Sequence, residues 1–379
     1  MLAAAFGVLL VAILALAAWS LTGSRPETAS AEPGTYAQVS TPRTGEKDDL
    51  TTWGDSADPV KAIYLTAYNA GSANLEAYLK LLDRTELNAV VVDVKDVTGE
   101  VMYPSKVPLA NEIGATRQVL DLKSLTKQLK ERDVYAIARV AVFEDDILPR
   151  QRPDLAVTDS STGAPWLNDA GQTWANQYNK EVWKYNVAVA KEAARAGFDE
   201  IQFDYIRFPS DGPMETIDYG KETYPKQQEA LAAFLKYADS ELHPMGVRVA
   251  SDVFGLAATE DGAGVGQYID TLAPYLDVVC PMAYPSHYPP GSYGYDDPNS
   301  EPYKVIEHTM TDFEKKTKDA NPGIEIRPWL QDFTLGTPPY GPEEVRAQMD
   351  AVYDSGATGW LLWNADNDYT EMALKASSR

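Results

Sequence analysis

Gly197-Phe198-Asp199-Glu200-Ile201-Gln202-Phe203-Asp204-Tyr205-Ile206-Arg207-Phe208-Pro209 is the stretch on which the reading of the fold turns. A glycine closes a helical run, an apolar strand follows, and the strand stops on a carboxylate flanked by aromatics and an arginine. Strand alternation puts Ile201 and Phe203 on one face and Gln202 and Asp204 on the other. An ionised Asp inside an apolar strand is costly unless the strand end opens onto a polar site. In a ring of alternating strands and helices, that end carries the active site. Asp204 is therefore the first catalytic candidate. The competing use is a carboxylate that caps the next turn or pairs with Arg207.

The same pattern recurs on both sides of this stretch. Strand-like runs lie at 62–65, 89–94, 134–140, 200–204, 247–252, 277–284, 324–330 and 359–363. Helical patterns lie between them, for example at 75–82, 122–130, 180–196, 227–242, 268–276, 305–318 and 342–354. Val182, Tyr185, Val189 and Ala193 recur at spacings of three and four, the helical period. Eight such repeats predict a single α/β domain over 59–379, a closed (β/α)8 TIM barrel with long βα loops. The runner-up is a doubly wound open sheet. It would show a Gly-rich phosphate loop after the first strand, and Tyr64-Leu65-Thr66-Ala67-Tyr68 has none. Long insertions at 143–179, 209–226 and 285–303 all fall on the face that carries a site.

Composition narrows the partners. The 379 residues are 44% hydrophobic, enough for a large core, and carry a net charge of −23. Such a chain lacks the basic surface that nucleic acid demands, and an anionic membrane surface is equally disfavoured. The single cysteine, Cys280, excludes an intrachain disulfide framework and a Cys-rich zinc site. The three histidines are scattered, with no HExxH. No metal and no organic cofactor is expected. Residues 1–21 carry no charged side chain, and Ala29-Ser30-Ala31 reads as a signal-peptidase site. That segment is expected to be a signal peptide or a membrane anchor. Residues 22–58, rich in Ser, Thr, Pro and Gly, read as a flexible linker. Both place the folded part outside the cytoplasm, secreted or anchored, with the membrane met only through the N-terminal segment.

Carboxylates close several strands: Asp93 and Asp96 after the second, Asp204 after the fourth, Asp252 after the fifth, Asp332 after the seventh. If the ring closes, they converge on one mouth. A carboxylate pair lined by aromatics is what glycosidic cleavage requires, one member protonated and one ionised. Crowding pushes their pKa values apart and supplies both states. Asp204 is the expected nucleophile or base, Asp252 the general acid, and Asp332 a ring-hydroxyl binder. Candidate substrate-binding residues are Asp93, Lys95, Arg139, Tyr205, Arg207, Tyr284, His287, Trp329 and Trp363. Three have plainer alternatives: barrel packing for Trp329 and Trp363, a surface loop for His287.

On Val91-Val92-Asp93-Val94-Lys95-Asp96, on the 197–209 stretch, and on Pro281-Met282-Ala283-Tyr284-Pro285, the chain resembles a family of bacterial and archaeal glycoside-hydrolase-like TIM-barrel domains. The resemblance spans about residues 60 to 370. It implies carbohydrate cleavage and no particular substrate. The chain is also distantly similar to two better-understood barrel groups. Chitinase-like barrels carry D-x-x-D-x-D-x-E at strand four; here those positions are Asp199, Gln202, Asp204 and Ile206, so their catalytic Glu is missing. Met282-x-Tyr284 matches their strand six. Amylase-like barrels place acids after strands four, five and seven, where this chain has Asp204, Asp252 and Asp332. It departs from them in an Asp at strand five and in Gln202 before the nucleophile. The expected function is an extracytoplasmic glycoside hydrolase acting on a polysaccharide or oligosaccharide. The alternatives are a tethered, non-catalytic carbohydrate-binding barrel and, more remotely, a metal-dependent deacetylase, which the scarcity of histidine disfavours.

Overall fold

The computed structural model describes residues 59–377 apart from 222, 260 and 358, so the N-terminal helix and linker expected above lie outside the described residues. Eight parallel strands form the ring: β1 Lys61–Leu65, β2 Ala89–Lys95, β3 Tyr135–Ala141, β4 Glu200–Asp204, β5 Arg248–Phe254, β6 Val278–Met282, β7 Trp329–Gln331 and β8 Trp360–Trp363. β7 pairs β8, which pairs β1, and the ladder continues in chain order to β6. Met282 of β6 then pairs Trp329 of β7 and closes the circle. The principal helices outside it are α1 Leu75–Arg84, α2 Leu122–Lys130, α3 Lys180–Ala196, α4 Gln227–Leu242, α5 Ile269–Leu272, α6 Pro302–Thr317 and α7 Pro342–Asp354. None of the described helices is long and apolar enough to cross a membrane.

Local chemistry sets the helix ends. The Asn179 side chain accepts the Glu181 N–H at 2.9 Å and starts α3. Gly197 ends it at φ +105°, a left-handed position that favours glycine. Between those caps Val182 and Val189 are fully buried, contributing about 1.5–3 kcal/mol each. Two of the expected elements differ. α5 stops short because Pro274 cannot continue it, and a 3-10 turn, Ala273–Tyr275, follows. The seventh strand is split into Glu325–Ile326 and β7 at Pro328, which has no N–H to donate.

Packing separates two shells. Ile201 and Phe203 of β4, like Val90 and Val92 of β2, face the helices. A smaller interior core holds Ala62, Tyr64, Val91, Ile137, Ala250, Cys280 and Trp329. The alternation therefore sends Glu200, Gln202 and Asp204 down the inside of the barrel. The loops after β3 and β4 are tied together by a two-stranded antiparallel pair, Thr158–Asp159 with Ile217–Asp218. The Trp166 indole N–H adds a bond to Pro213 O at 3.1 Å.

Candidate active site

Arg139, on β3, is the hub of the mouth. Its Nη1 donates to Asp93 Oδ1 at 2.5 Å. Its Nε and Nη2 both donate to Asp204 Oδ2, at 3.0 and 2.5 Å. Asp252 Oδ2 lies 3.9 Å from the same Nε. Three carboxyls from β2, β4 and β5 thus surround one guanidinium. They meet because Asp93 is in register with Arg139 and Ala141 with Asp204 in parallel ladders. Arg139 is buried, which by itself disfavours its charge, but Asp93 and Asp204 hold it strongly cationic.

The remaining oxygens are also assigned. Tyr64 donates its hydroxyl to Asp93 Oδ2 at 2.5 Å. Asp204 Oδ1 accepts the Tyr205 N–H at 2.6 Å. Tyr205 sits at φ +54°, a left-handed backbone rare for an aromatic residue and characteristic of functional strand ends. Asp252 Oδ1 accepts the Trp329 indole N–H at 2.7 Å. Burial and the Asp204 charge push Asp252 far above the usual carboxylate range, against the pull of Arg139 and Trp329. Both causes favour the protonated form of Asp252. Asp204 is 5% exposed and Asp252 1%, so the pair lies at the floor of the mouth.

Aromatic rings wall this cluster. Trp363 stacks on Tyr64 at 4.2 Å between centroids and meets Trp329 edge-on at 5.6 Å. The Arg139 guanidinium carbon is 5.5 Å from the Trp363 ring centre. The Tyr284 hydroxyl is kept protonated by burial and by Asp252 and Asp204. His287 packs edge-on against Tyr284 and Phe333, and burial pulls it down to about 4, so it is neutral.

Of the residues expected at the site, Asp93, Arg139, Asp204, Asp252, Trp329 and Trp363 converge, with Tyr205, Tyr284 and His287 beside them. Three are placed otherwise. Lys95 is fully buried in an ion pair with Asp145 at 2.8 Å and donates to Ala141 O. A register shift between Asp93 and Lys95 accompanies this placement. Arg207 turns to Glu144, with Nη2 3.3 Å from Oε2. Asp332 gives both oxygens to Thr370, accepting its N–H at 3.0 Å and its hydroxyl at 2.6 Å. Tyr64, which bonds Asp93, and Glu144, which pairs with Arg207, stand beyond the residues expected from the sequence. For Glu144 the signal was present: Phe143-Glu144-Asp145-Asp146 is another acid run leaving a strand.

The family described as "Putative glycosyl hydrolase domain" matches residues 62–369. A hypothetical protein from Ruminiclostridium thermocellum is 38% identical over 50% of this chain and 96% of its own, with a TM-score of 0.47. The PgaB (BpsB) glycoside hydrolase domain from Bordetella bronchiseptica gives a TM-score of 0.56 at 17% identity, covering 82% of this chain and 94% of that one. The GH20 exo β-N-acetylglucosaminidase from Vibrio harveyi gives 0.53 at 13% identity, over 84% of this chain and 54% of its own. At such identities the last two establish the barrel alone. No curated protein matches the sequence significantly.

Proposed function

Because the chain belongs to this family of glycosyl hydrolase domains, we propose that its mouth hydrolyses O-glycosidic bonds with two carboxyls of unlike protonation. One observation carries the reading: Asp204, accepting three N–H bonds, stands at the ends of neighbouring strands beside Asp252, whose burial favours its protonated form. Asp204 is the ionised member, acting as nucleophile or base. Asp252 is the acid expected from the sequence, and burial beside Asp204 favours its protonated form. Both oxygens neighbour Arg139 Nε, so they lie no more than about 7 Å apart, a range that includes the roughly 5 Å of a retaining pair. Trp363 and Tyr284 offer apolar faces for a sugar ring, while Asp93 and Tyr64 steady Arg139 from the far side. Asp332 is assigned to the fold, since Thr370 occupies its carboxylate.

The substrate class is a polysaccharide or oligosaccharide, with no nucleic acid partner. The uncharged 1–21 segment supports a setting outside the cytoplasm, secreted or anchored. The test is release of reducing ends from envelope and plant polysaccharides by the chain and by Asp204→Asn. The substitution should lower turnover about 10²- to 10⁴-fold with an unchanged circular-dichroism melt. Wild-type rates in Asp204→Asn would defeat the assignment. Glycan binding by both proteins with no ends released would instead favour a tethered binding barrel.

A further inference from the structure

Glu144 lies outside the Arg139 cluster and outside every role assigned above. The β3–β4 pairing continues past both strands: Val142 N–H bonds Asp204 O at 3.0 Å and Phe143 N–H bonds Tyr205 O at 3.4 Å. That continuation sets Glu144 on the mouth wall just beyond Asp204. The residue is 2% exposed. Oε2 takes its N–H from Arg207, while Oε1, equally buried, meets no donor among the described residues. Arg207 is itself wedged among the rings of Trp174, Tyr205 and Phe254, their centres 4.7, 5.2 and 5.2 Å from its guanidinium carbon. Those rings come from the β3 loop and the ends of β4 and β5, the same strand ends that carry Asp204 and Asp252.

An unpartnered oxygen in such a cage disfavours a carboxylate and suits a carboxylic acid. Burial lifts Glu144 to about 7; Arg207 opposes the rise, and Asp211 and Asp204 add to it. A proton donor works best with a pKa close to the working pH. Asp252 is as buried as Glu144, but its Oδ1 is taken by the Trp329 indole, whereas Glu144 Oε1 meets no donor among the described residues.

Resting on the reading of Asp204 as nucleophile, we propose that Glu144, held by Arg207, delivers the proton to the leaving oxygen. As the bond from C1 to the glycosidic oxygen breaks, its electron pair passes to that oxygen, which takes the proton from Glu144. Asp204 forms the new bond to C1. In the second half, water adds to C1 and gives a proton to Glu144, and Asp204 departs as a carboxylate. Both carboxyls return to their starting states, and one water is consumed. Asp252 stays beside Asp204 and transfers no proton.

The experiment compares Glu144→Gln and Asp252→Asn, in the whole chain, on two aryl glycosides of a sugar that the wild type cleaves. One carries 2,4-dinitrophenol, which leaves without a proton; the other carries methylumbelliferone. Glu144→Gln should lose about 10²- to 10⁴-fold in kcat/KM on the second and little on the first. It should also lose the alkaline limb of the pH–rate profile. Equal loss on both substrates, no loss on either, or the same split in Asp252→Asn alone would overturn the proposal. Carboxyl ¹³C NMR gives a readout that needs no turnover. A glutamate signal missing from Glu144→Gln should titrate near 7. Titration near 4, with Asp204→Asn still inactive, rejects the donor role and spares the hydrolase reading. A wild type that cleaves no glycoside removes both.

Discussion

Glu200 and Asp204 share one face of β4, and an arginine meets each, yet the two ends of that face differ in kind. At the floor, Arg327 Nη1 reaches both Glu200 oxygens at 3.0 and 3.1 Å, and neither residue is exposed. Glu325 takes two more Arg327 bonds at 2.8 and 3.0 Å. Breaking a buried pair by removing one member strands the other's charge. Arg327→Met should cost about 3–5 kcal/mol in urea unfolding, and adding Glu200→Gln should recover part of it. A cost below about 1 kcal/mol would mean that the barrel floor does not depend on this pair. At the mouth, Glu144 makes the opposite contribution. Its folded pKa of about 7 exceeds the ordinary 4.5, so the folded state keeps a proton that the unfolded chain releases. Stability therefore falls as pH rises from about 4.5 to 7, by about 3 kcal/mol in total. Glu144→Gln should lack that slope in thermal melts across the window. Parallel slopes in the two proteins would contradict it.

At the scale of elements, the segment after β8 replaces the eighth helix that a full set of repeats would have. Residues 364–377 carry a short 3-10 turn, Glu371–Ala373, and a bridge from Ala376 to Thr85, and return over β1. Asn367, at φ +58°, accepts the Thr66 N–H and an Asn69 side-chain N–H, both at 2.8 Å, and donates to Tyr64 O at 3.2 Å. Tyr369 donates its hydroxyl to the same carbonyl. Glu371 pairs with Arg84 of α1, and Thr370 fills the Asp332 carboxylate. Asp332→Asn puts an amide where an acceptor is needed. It should destabilise by about 1–3 kcal/mol while leaving turnover per folded molecule intact. An unchanged melt with lost turnover would return Asp332 to the catalytic set.

Across the whole molecule, the ring was legible because period-two and period-3.6 patterns alternate eight times, and α2, α3, α4 and α7 lie where their patterns end. Less legible were the breaks imposed by single prolines, at Pro274 and Pro328, and the absence, among the described residues, of an eighth helix. At the site, strand-end position alone located Asp204, Asp252 and Asp93. It did not say how each carboxylate spends its lone pairs, which depends on partners remote in the chain. Asp332 and Asp204 carry the same local signal; Thr370 takes one and Arg139 the other. Lys95 and Arg207 likewise went to Asp145 and Glu144, acids from a loop with no periodicity to read.

The strap across β1 has a bearing on how the protein is made. Tyr64 belongs to the first strand described, and Asn367, Tyr369 and Thr370 to the last stretch described. The chain between these residues must therefore leave the ribosome before the ring can be sealed at this seam. Until then β1 presents an unmatched edge to the cell, and its protection during synthesis falls to whatever meets nascent chains.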